Sequence, residues 1–216
     1  MSKKQKSAPR SAAPDIRRAL LEAALPDIAF DGWQDSVLAR ACAKTGIDID
    51  AAEKALPGGM ADLALYFSTW ADEKMEQALA RENLAALRIR DRVALGVRRR
   101  LEILSPWKQA VSAAGATLGL SAQGFGIPKA VWQTADKIWI AAGDTATDYN
   151  RYTKRLLLAG VLSATTLCWL GDDSDGHAET WAFLDRRIDN VLTLGRNLGR
   201  MGDKLRGFTP RRRKQA

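Results

Sequence analysis

Apolar residues recur at intervals of three and four along almost the whole chain, and no convincing alternation of apolar and polar residues interrupts them. The first spacing places apolar side chains on one face of a helix, whereas alternation would predict strands. Clusters of Gly, Pro and Asp mark the turns between these segments. The sequence therefore predicts an all-α protein, with helices over Asp15–Ala29, Gln34–Lys44, Ile49–Leu56, Gly59–Ala80, Leu84–Ser105, Trp107–Leu120, Lys129–Ala142, Thr147–Leu170 and Ala178 to about Leu205.

The second and third predicted helices have the outline of a helix-turn-helix, because Thr45-Gly46 breaks the chain between two short apolar-patterned segments. In a DNA-binding protein the second of these helices enters the major groove. From Asp15 to Leu56, however, five basic residues stand against eight acidic ones, a net charge of −3. Lysine and arginine contacts to phosphate supply most non-specific DNA affinity. The motif is therefore predicted to be a scaffold rather than a DNA reader.

The length of 216 residues suits one domain with a small N-terminal subdomain. The division follows the helix pattern and the charge. We assign a disordered basic tail to 1–14, a helix-turn-helix-like subdomain to 15–56, a larger helical body to 57–205 and a second basic tail to 206–216.

The net charge of +8 and the pI of 9.7 invite a nucleic-acid partner, but the excess lies in the tails. The two tails hold nine basic residues and no acidic one, which leaves 24 basic against 25 acidic residues in the body. The body is therefore almost neutral. Basic tails of this kind are either solvated chain ends or bind anionic membranes and nucleic acids without specificity.

Neither a membrane span nor secretion is expected. No apolar run approaches the roughly 18 residues of a spanning helix, and the first 14 residues lack the apolar core of a signal peptide. The two cysteines, Cys42 and Cys168, fall inside apolar helical patterns. They are interpreted as buried structural thiols in a reducing compartment.

The chain offers little that could perform catalysis. The one histidine, His177, lies in the stretch GDDSDGH, where a solvated turn is the simplest interpretation. Asp172, Asp173 and Asp175 lack the spacing of a calcium loop and fit a turn between helices. We find no phosphate-binding loop, nucleophile elbow or paired Cys-x-x-Cys motif. No catalytic residue, metal ligand or cofactor is therefore predicted.

Two other segments leave alternatives open. Residues 110–127 are rich in Ala and Gly and carry no charge. Such a segment either packs helices tightly or leaves room for an apolar ligand. Residues 144–150 have the composition of a helix start, where Asp144 or Thr145 would cap backbone amides.

Three longer segments carry a resemblance to a known family: LPGGMADL at 56–63, TADKIWIAAGDTATDYNRYTKRLLLAGVLSATTL at 134–167 and ETWAFLDRRIDNVL at 179–192. A three-helix unit followed by a helical body is the layout of TetR-type regulators. The three segments are more specific, because they resemble the accessory proteins of ubiquinone biosynthesis called the Coq nine family. The resemblance runs from about Asp15 to Leu194.

This resemblance implies a TetR-like fold without DNA binding, a pocket for an isoprenoid lipid in 57–205, and no catalysis of its own. It also implies a homodimer that presents quinone intermediates to the di-iron hydroxylase acting late in ubiquinone synthesis. The location implied is cytoplasmic, at the periphery of the inner membrane. We expect the lipid to contact Ala114, Ala116, Leu118, Leu120, Phe125, Trp132, Leu157 and Val161, which lie mainly in or near the uncharged segment.

The family's partner-binding patch maps onto the turn and helix after residue 137. Family members commonly have Trp where this chain has Arg151, so one aromatic anchor is replaced by a charge. The corresponding residues here are Ile138, Trp139, Asp144, Thr147, Asp148, Tyr149, Asn150, Arg151, Tyr152, Lys154 and Arg155.

The end of the chain has an amphipathic composition. Our hypothesis is that Leu198, Met201, Leu205 and Phe208 enter the membrane interface while nearby Arg and Lys residues meet anionic lipid. Two other functions remain open beside lipid presentation. One is a TetR-like transcription regulator that senses an apolar ligand, and the other is a scaffold without a ligand.

Overall fold

A computed structural model describes residues 15–119, 126–145 and 149–191. These residues are all-α, as predicted, and contain no strand. The predicted tails over 1–14 and 206–216 lie outside the described residues. The helices are α1 (Ile16–Asp31), α2 (Asp35–Thr45), α3 (Ile49–Ala55), α4 (Met60–Leu79), α5 (Ile89–Leu104), α6 (Lys108–Gly119), α7 (Gly126–Ala141), α8 (Tyr149–Leu170) and α9 (178–191).

The chain forms two compact units. The first contains the described residues up to Trp70 together with 107–119, and the second contains Ala71–Pro106 and the described residues from 126 onward. The first unit therefore recruits α6 from later in the sequence. The predicted boundary after residue 56 was placed at the end of the helix-turn-helix motif and not from contacts between residues, and it stays a prediction.

The first three helices form the expected helix-turn-helix arrangement. Asp15 caps α1 by accepting a hydrogen bond from the backbone N–H of Arg17 at 3.1 Å. Helix α2 ends at Gly46, which adopts the left-handed conformation (φ 68°, ψ 15°) that glycine tolerates best. Asp48 then caps α3. The predicted turn is thus confirmed.

Apolar side chains of α1 and α2 form the core of the first unit. Leu20, Leu21 and Val37 are fully buried, and each such side chain contributes roughly 1.5–3 kcal/mol through the hydrophobic effect. Trp33 packs its ring 5.7 Å from that of Phe67 and donates its indole N–H to the carbonyl of Ala110 on α6 at 2.9 Å. This buried hydrogen bond ties α6 to the helix-turn-helix segment.

Both cysteines are free thiols. Cys42 is buried, as expected, and its burial raises the pKa of the thiol. Cys168 is half-buried on α8.

Two predicted helix boundaries are wrong. A single helix was expected over Leu84–Ser105, but a 3-10 turn at Leu84–Ala86 and an extended Leu87 precede α5. The guanidinium of Arg92 donates to the carbonyl of Leu87 at 2.9 Å, which stabilises the break. Helix α7 begins at Gly126, before the predicted Lys129, because Pro128 falls in the first turn, where a helix needs no N–H donor.

The turn before α9 is organised by the side chain of Asp172. The buried Asp172 carboxylate accepts hydrogen bonds from the backbone N–H groups of Ser174 (2.8 Å) and Thr180 (2.9 Å) and from both hydroxyls. These bonds hold the pKa of Asp172 far below its usual range. The aspartates therefore form a turn between helices, as expected.

His177 departs from the expected solvated turn. Its ring is half-buried between Trp169 and Trp181, with centroid distances of 6.1 and 6.3 Å. The Nε2 atom lies 3.4 Å from the hydroxyl of Ser105. The sequence could not indicate this packing, because the two tryptophans lie on different helices.

We expect Asp172→Asn to lower the melting temperature at pH 7 by about 4 °C, because the amide cannot accept all of these hydrogen bonds. A depressed pKa stabilises the fold above the ordinary pKa of the carboxyl, and this stabilisation is lost as the pH falls. The difference between the variant and the wild type should therefore narrow below pH 4. Thermal unfolding followed by circular dichroism from pH 7 to pH 2 measures it, and a constant difference would contradict the assignment.

Candidate docking surface and apolar pocket

The crossing of α7 and α8 is organised by a buried arginine. Arg155 is 2% exposed, and its guanidinium pairs with Asp136 and, at 2.9 Å, with Asp144. Lys154 also reaches Asp144, with an Nζ to Oδ1 distance of 2.6 Å. Burial lowers the pKa of Arg155, but the hydrogen bonds to the two carboxylates raise it by more. A charged network therefore fixes the start of α8 against α7 and the turn between them.

Other predicted partner-binding residues lie beneath this crossing. Ile138 and Trp139 are buried, at 1% and 7% exposure. The indole of Trp139 donates to the carbonyl of Lys154 at 3.0 Å, and the Lys154 ammonium lies 5.5 Å from the ring centroid. Ile138, Trp139 and Arg155 thus support the crossing from inside.

The exposed layer combines apolar and aromatic side chains with the charged pair Arg151 and Asp136. Tyr152 is 61% and Leu156 66% exposed, one turn apart on α8. The ring of Trp132 lies 6.2 Å from that of Tyr152. The Arg151 side chain is 44% exposed and contacts Asp136 at 3.5 Å. We call Trp132, Asp136, Arg151, Tyr152 and Leu156 the α7–α8 surface.

Some predicted site residues lie outside this description. Thr147 and Asp148 are not among the described residues, and for Tyr149 and Asn150 only the helical backbone is described. The predicted membrane residues Leu198, Met201, Leu205 and Phe208 also lie outside the described residues.

The second unit contains a small apolar pocket between α5, α7, α8 and α9. Its enclosed space is only about 20 Å³, close to what one water molecule needs. Arg90 is the one charged residue in the lining. The pocket is lined by Ile89, Arg90, Val93, Trp139, Leu158, Val161, Ile188 and Val191.

Of the residues predicted to contact lipid, Val161 lines this pocket and Trp132 belongs to the α7–α8 surface. Leu157 is half-buried on α8. Three more lie on α6 in the first unit: Ala114 half-buried, Ala116 exposed and Leu118 buried. Leu120 and Phe125 are outside the described residues.

Sequence reasoning missed most of the pocket lining because residues such as Val93, Leu158 and Ile188 have the spacing of ordinary core positions. The sequence signal that could have indicated the pocket is Arg90, a charged residue that directly follows the apolar lining residue Ile89. Arg90 donates to Asp189 at 2.6 Å and also pairs with Asp185 at 3.4 Å, so it links α5 to α9 beside the pocket. The hydrogen bond to Asp189 raises the pKa of Arg90.

The basic residues of α2 are paired within the first unit. Lys44 contacts Asp27 at 2.9 Å, and Arg40 contacts Asp27 at 3.0 Å and also Asp31. The hydrogen bonds from Lys44, which has the larger effect, and from Arg40 lower the pKa of Asp27. Two of the five cations in the helix-turn-helix segment are thus neutralised by α1, which weakens any attraction to phosphate.

Among the described residues, none of the helices combines the length and the apolar character needed to cross a bilayer.

Comparison with known proteins connects these helices to one family. The COQ9 family matches residues 126–195, a range that includes α7, α8 and α9. The mitochondrial ubiquinone biosynthesis protein COQ9 of Rattus norvegicus is 30% identical over 194 residues, with 83% of this chain and 60% of that protein covered. The Homo sapiens protein of the same name is 27% identical, with coverage of 83% and 58%. This chain therefore spans less than two thirds of the length of these relatives.

The fold has a counterpart among solved structures. A TetR transcriptional regulator from Nitrosomonas europaea superimposes with a TM-score of 0.65 at 18% identity. The match covers 82% of this chain and 98% of that chain. At this identity the likeness shows a TetR-like fold and nothing about the ligand or the activity.

Proposed function

Because the chain belongs to the COQ9 family of ubiquinone-biosynthesis proteins, we propose that it is a non-catalytic accessory protein of this pathway. It binds isoprenoid quinone intermediates at the membrane and presents them to the di-iron demethoxyubiquinone hydroxylase. The observation that carries the proposal is the apolar pocket, because three of its four helices lie within the segment that matches the family.

The pocket supplies the chemistry that a lipid carrier needs. An isoprenoid tail leaves the bilayer at a cost of about 0.8 kcal/mol for each carbon group exposed to water, or roughly 4 kcal/mol for a five-carbon unit. Seven of the eight lining residues are apolar or aromatic, so they offset that cost. The enclosed space is small, so the lining side chains would have to move apart to admit a segment of the tail, and the remainder would lie against the bilayer or a partner.

The α7–α8 surface is the proposed docking site for the hydroxylase. Tyr and Arg are enriched where proteins bind one another, and exposed Tyr152, Leu156 and Arg151 lie together on the first turns of α8. Beneath them, the ion pairs of Arg155 hold the surface in one conformation, which reduces the entropy cost of binding.

The proposal includes a homodimer and a cytoplasmic location at the periphery of the inner membrane. The basic, amphipathic segment after Leu194 is the proposed membrane contact. We expect a chain cut after Leu194 to lose binding to anionic liposomes in a flotation assay, with neutral liposomes as the control. Undiminished flotation of the shortened chain would exclude this contact.

Reconstitution tests the proposed function directly. Demethoxyubiquinone in liposomes is supplied to the purified hydroxylase with and without this protein, and hydroxylated quinone is followed by chromatography. We expect the protein to increase product formation when the hydroxylase is present and to form no product alone. Equal rates with and without the protein would reject presentation, and turnover by the protein alone would reject a non-catalytic role.

A further inference from the structure

Among the described residues of the α7–α8 crossing, basic side chains outnumber carboxylates. Three cations, Arg151, Lys154 and Arg155, lie beside two carboxylates, Asp136 and Asp144. Arg155 contacts both carboxylates, and Lys154 contacts Asp144 at 2.6 Å. In the described part of the crossing, two carboxylates are thus shared among three basic side chains.

Of these three basic side chains, Arg151 has the longest contact with a carboxylate. Its contact with Asp136 is 3.5 Å long, at the limit of a hydrogen bond, and the same Asp136 oxygen already accepts from buried Arg155. A guanidinium has five N–H donors arranged to bind a carboxylate through two parallel hydrogen bonds. With 44% of the side chain exposed, Arg151 can turn these donors toward an incoming carboxylate.

The neighbours of Arg151 indicate which kind of partner side chain would lie next to that carboxylate. Tyr152 and Leu156 are exposed by 61% and 66%, and Trp132 supports the Tyr152 ring from α7. An apolar side chain of a partner would be shielded from water there, while the rim charge guides the approach.

We propose that Arg151 is the specificity-determining residue of this surface, and that the hydroxylase docks by placing an Asp or Glu carboxylate on Arg151 next to an apolar side chain on Tyr152 and Leu156. This inference rests on the proposed function, since it assigns the recognition chemistry of the same docking site. Charge pairs at the rim of an interface act mainly on association rate and salt dependence, so binding should weaken as ionic strength rises.

The test measures hydroxylase binding by biolayer interferometry for the full-length chain and three variants. We expect Arg151→Ala to weaken binding about threefold and Arg151→Glu about fivefold, mainly through slower association. Arg186→Glu, an exposed change of equal charge on α9, is the matched control and should bind as the wild type does. Raising the ionic strength from about 0.05 to about 0.5 M should weaken the wild type but leave Arg151→Ala nearly unchanged.

The outcomes separate this inference from the proposed function. If the wild type does not bind the hydroxylase, the proposed function fails. If the wild type binds but Arg151→Ala and Arg151→Glu bind equally well, or if Arg186→Glu weakens binding as much, recognition through Arg151 is wrong while docking stands. Thermal unfolding of each variant shows whether a loss of binding reflects a loss of fold, and Arg151→Ala removes the charge without placing a new carboxylate beside Asp136.

Discussion

Replacing Asp72 by Ala is expected to lower the free energy of unfolding by about 3 kcal/mol, because it opens a buried ion pair. Asp72 is 3% and Arg100 8% exposed, and the Arg100 Nε lies 2.8 Å from the Asp72 carboxylate. The fully buried hydroxyl of Thr134 donates to the same carboxylate at 2.9 Å. The Asp72 carboxylate thus joins α4 to α5 and α7 in the second unit. The substitution removes this acceptor, which two buried donors share.

Urea unfolding of the wild type and variants measures this effect. Arg88→Ala is the matched control, because Arg88 is 80% exposed and pairs with Asp91, so its loss should change stability by less than about 1 kcal/mol. The double variant Asp72→Ala, Arg100→Met removes both charges. It should recover part of the lost stability, because it leaves no buried guanidinium deprived of the Asp72 carboxylate. A loss below about 1 kcal/mol for Asp72→Ala would contradict the structural role of the pair.

Filling the pocket should abolish most lipid binding. Val161→Phe adds a ring to a lining position that is 5% exposed, so we expect the isoprenoid recovered per mole of protein to fall by at least about tenfold. Inserting bulk into a packed site costs roughly 1–3 kcal/mol of stability, so the variant should still fold. The measurement is the amount of lipid in organic extracts, with protein concentration as the reference.

Leu167→Phe is the control for this substitution. Leu167 lies on the same helix but is 71% exposed, so an equal gain in aromatic surface there should leave the bound lipid unchanged. Val161→Ala enlarges the pocket instead of filling it, and it should retain lipid. If Val161→Phe retains as much bound lipid as the wild type, the ligand does not bind in this pocket.

The helices were predictable because each is encoded locally. Asp15 and Asp48 cap the helices that follow them, and Gly46 ends α2 in a conformation that glycine adopts readily. The start of α7 was missed for a local reason, Pro128 in its first turn, and the other errors arose where a side chain from a neighbouring turn or helix fixes the backbone. Arg92 donates to carbonyls of the preceding turn, and the hydroxyl and amide of Thr180 bind the Asp172 carboxylate from the next helix.

The candidate site was predictable only in part, for the same reason. The resemblance pointed to the turn and helix around Arg155, but nothing local indicates that Arg155 is buried while Tyr152 is exposed. That difference comes from Asp136 and Asp144, which hold the guanidinium inside the crossing. The pocket lining comes from four separate helices, and its apolar residues are indistinguishable in sequence from those that only fill a core.

Mass spectrometry of organic extracts is the most direct test of the central claim, that this protein carries an isoprenoid quinone intermediate. The protein is purified without detergent from a host that makes ubiquinone, and Val161→Phe prepared in parallel accounts for lipid adsorbed outside the pocket. The account predicts an isoprenoid quinone or its precursor in the wild-type extract at a fraction approaching one per chain. An extract that contains no isoprenoid, whether empty or holding phospholipid alone, would contradict it.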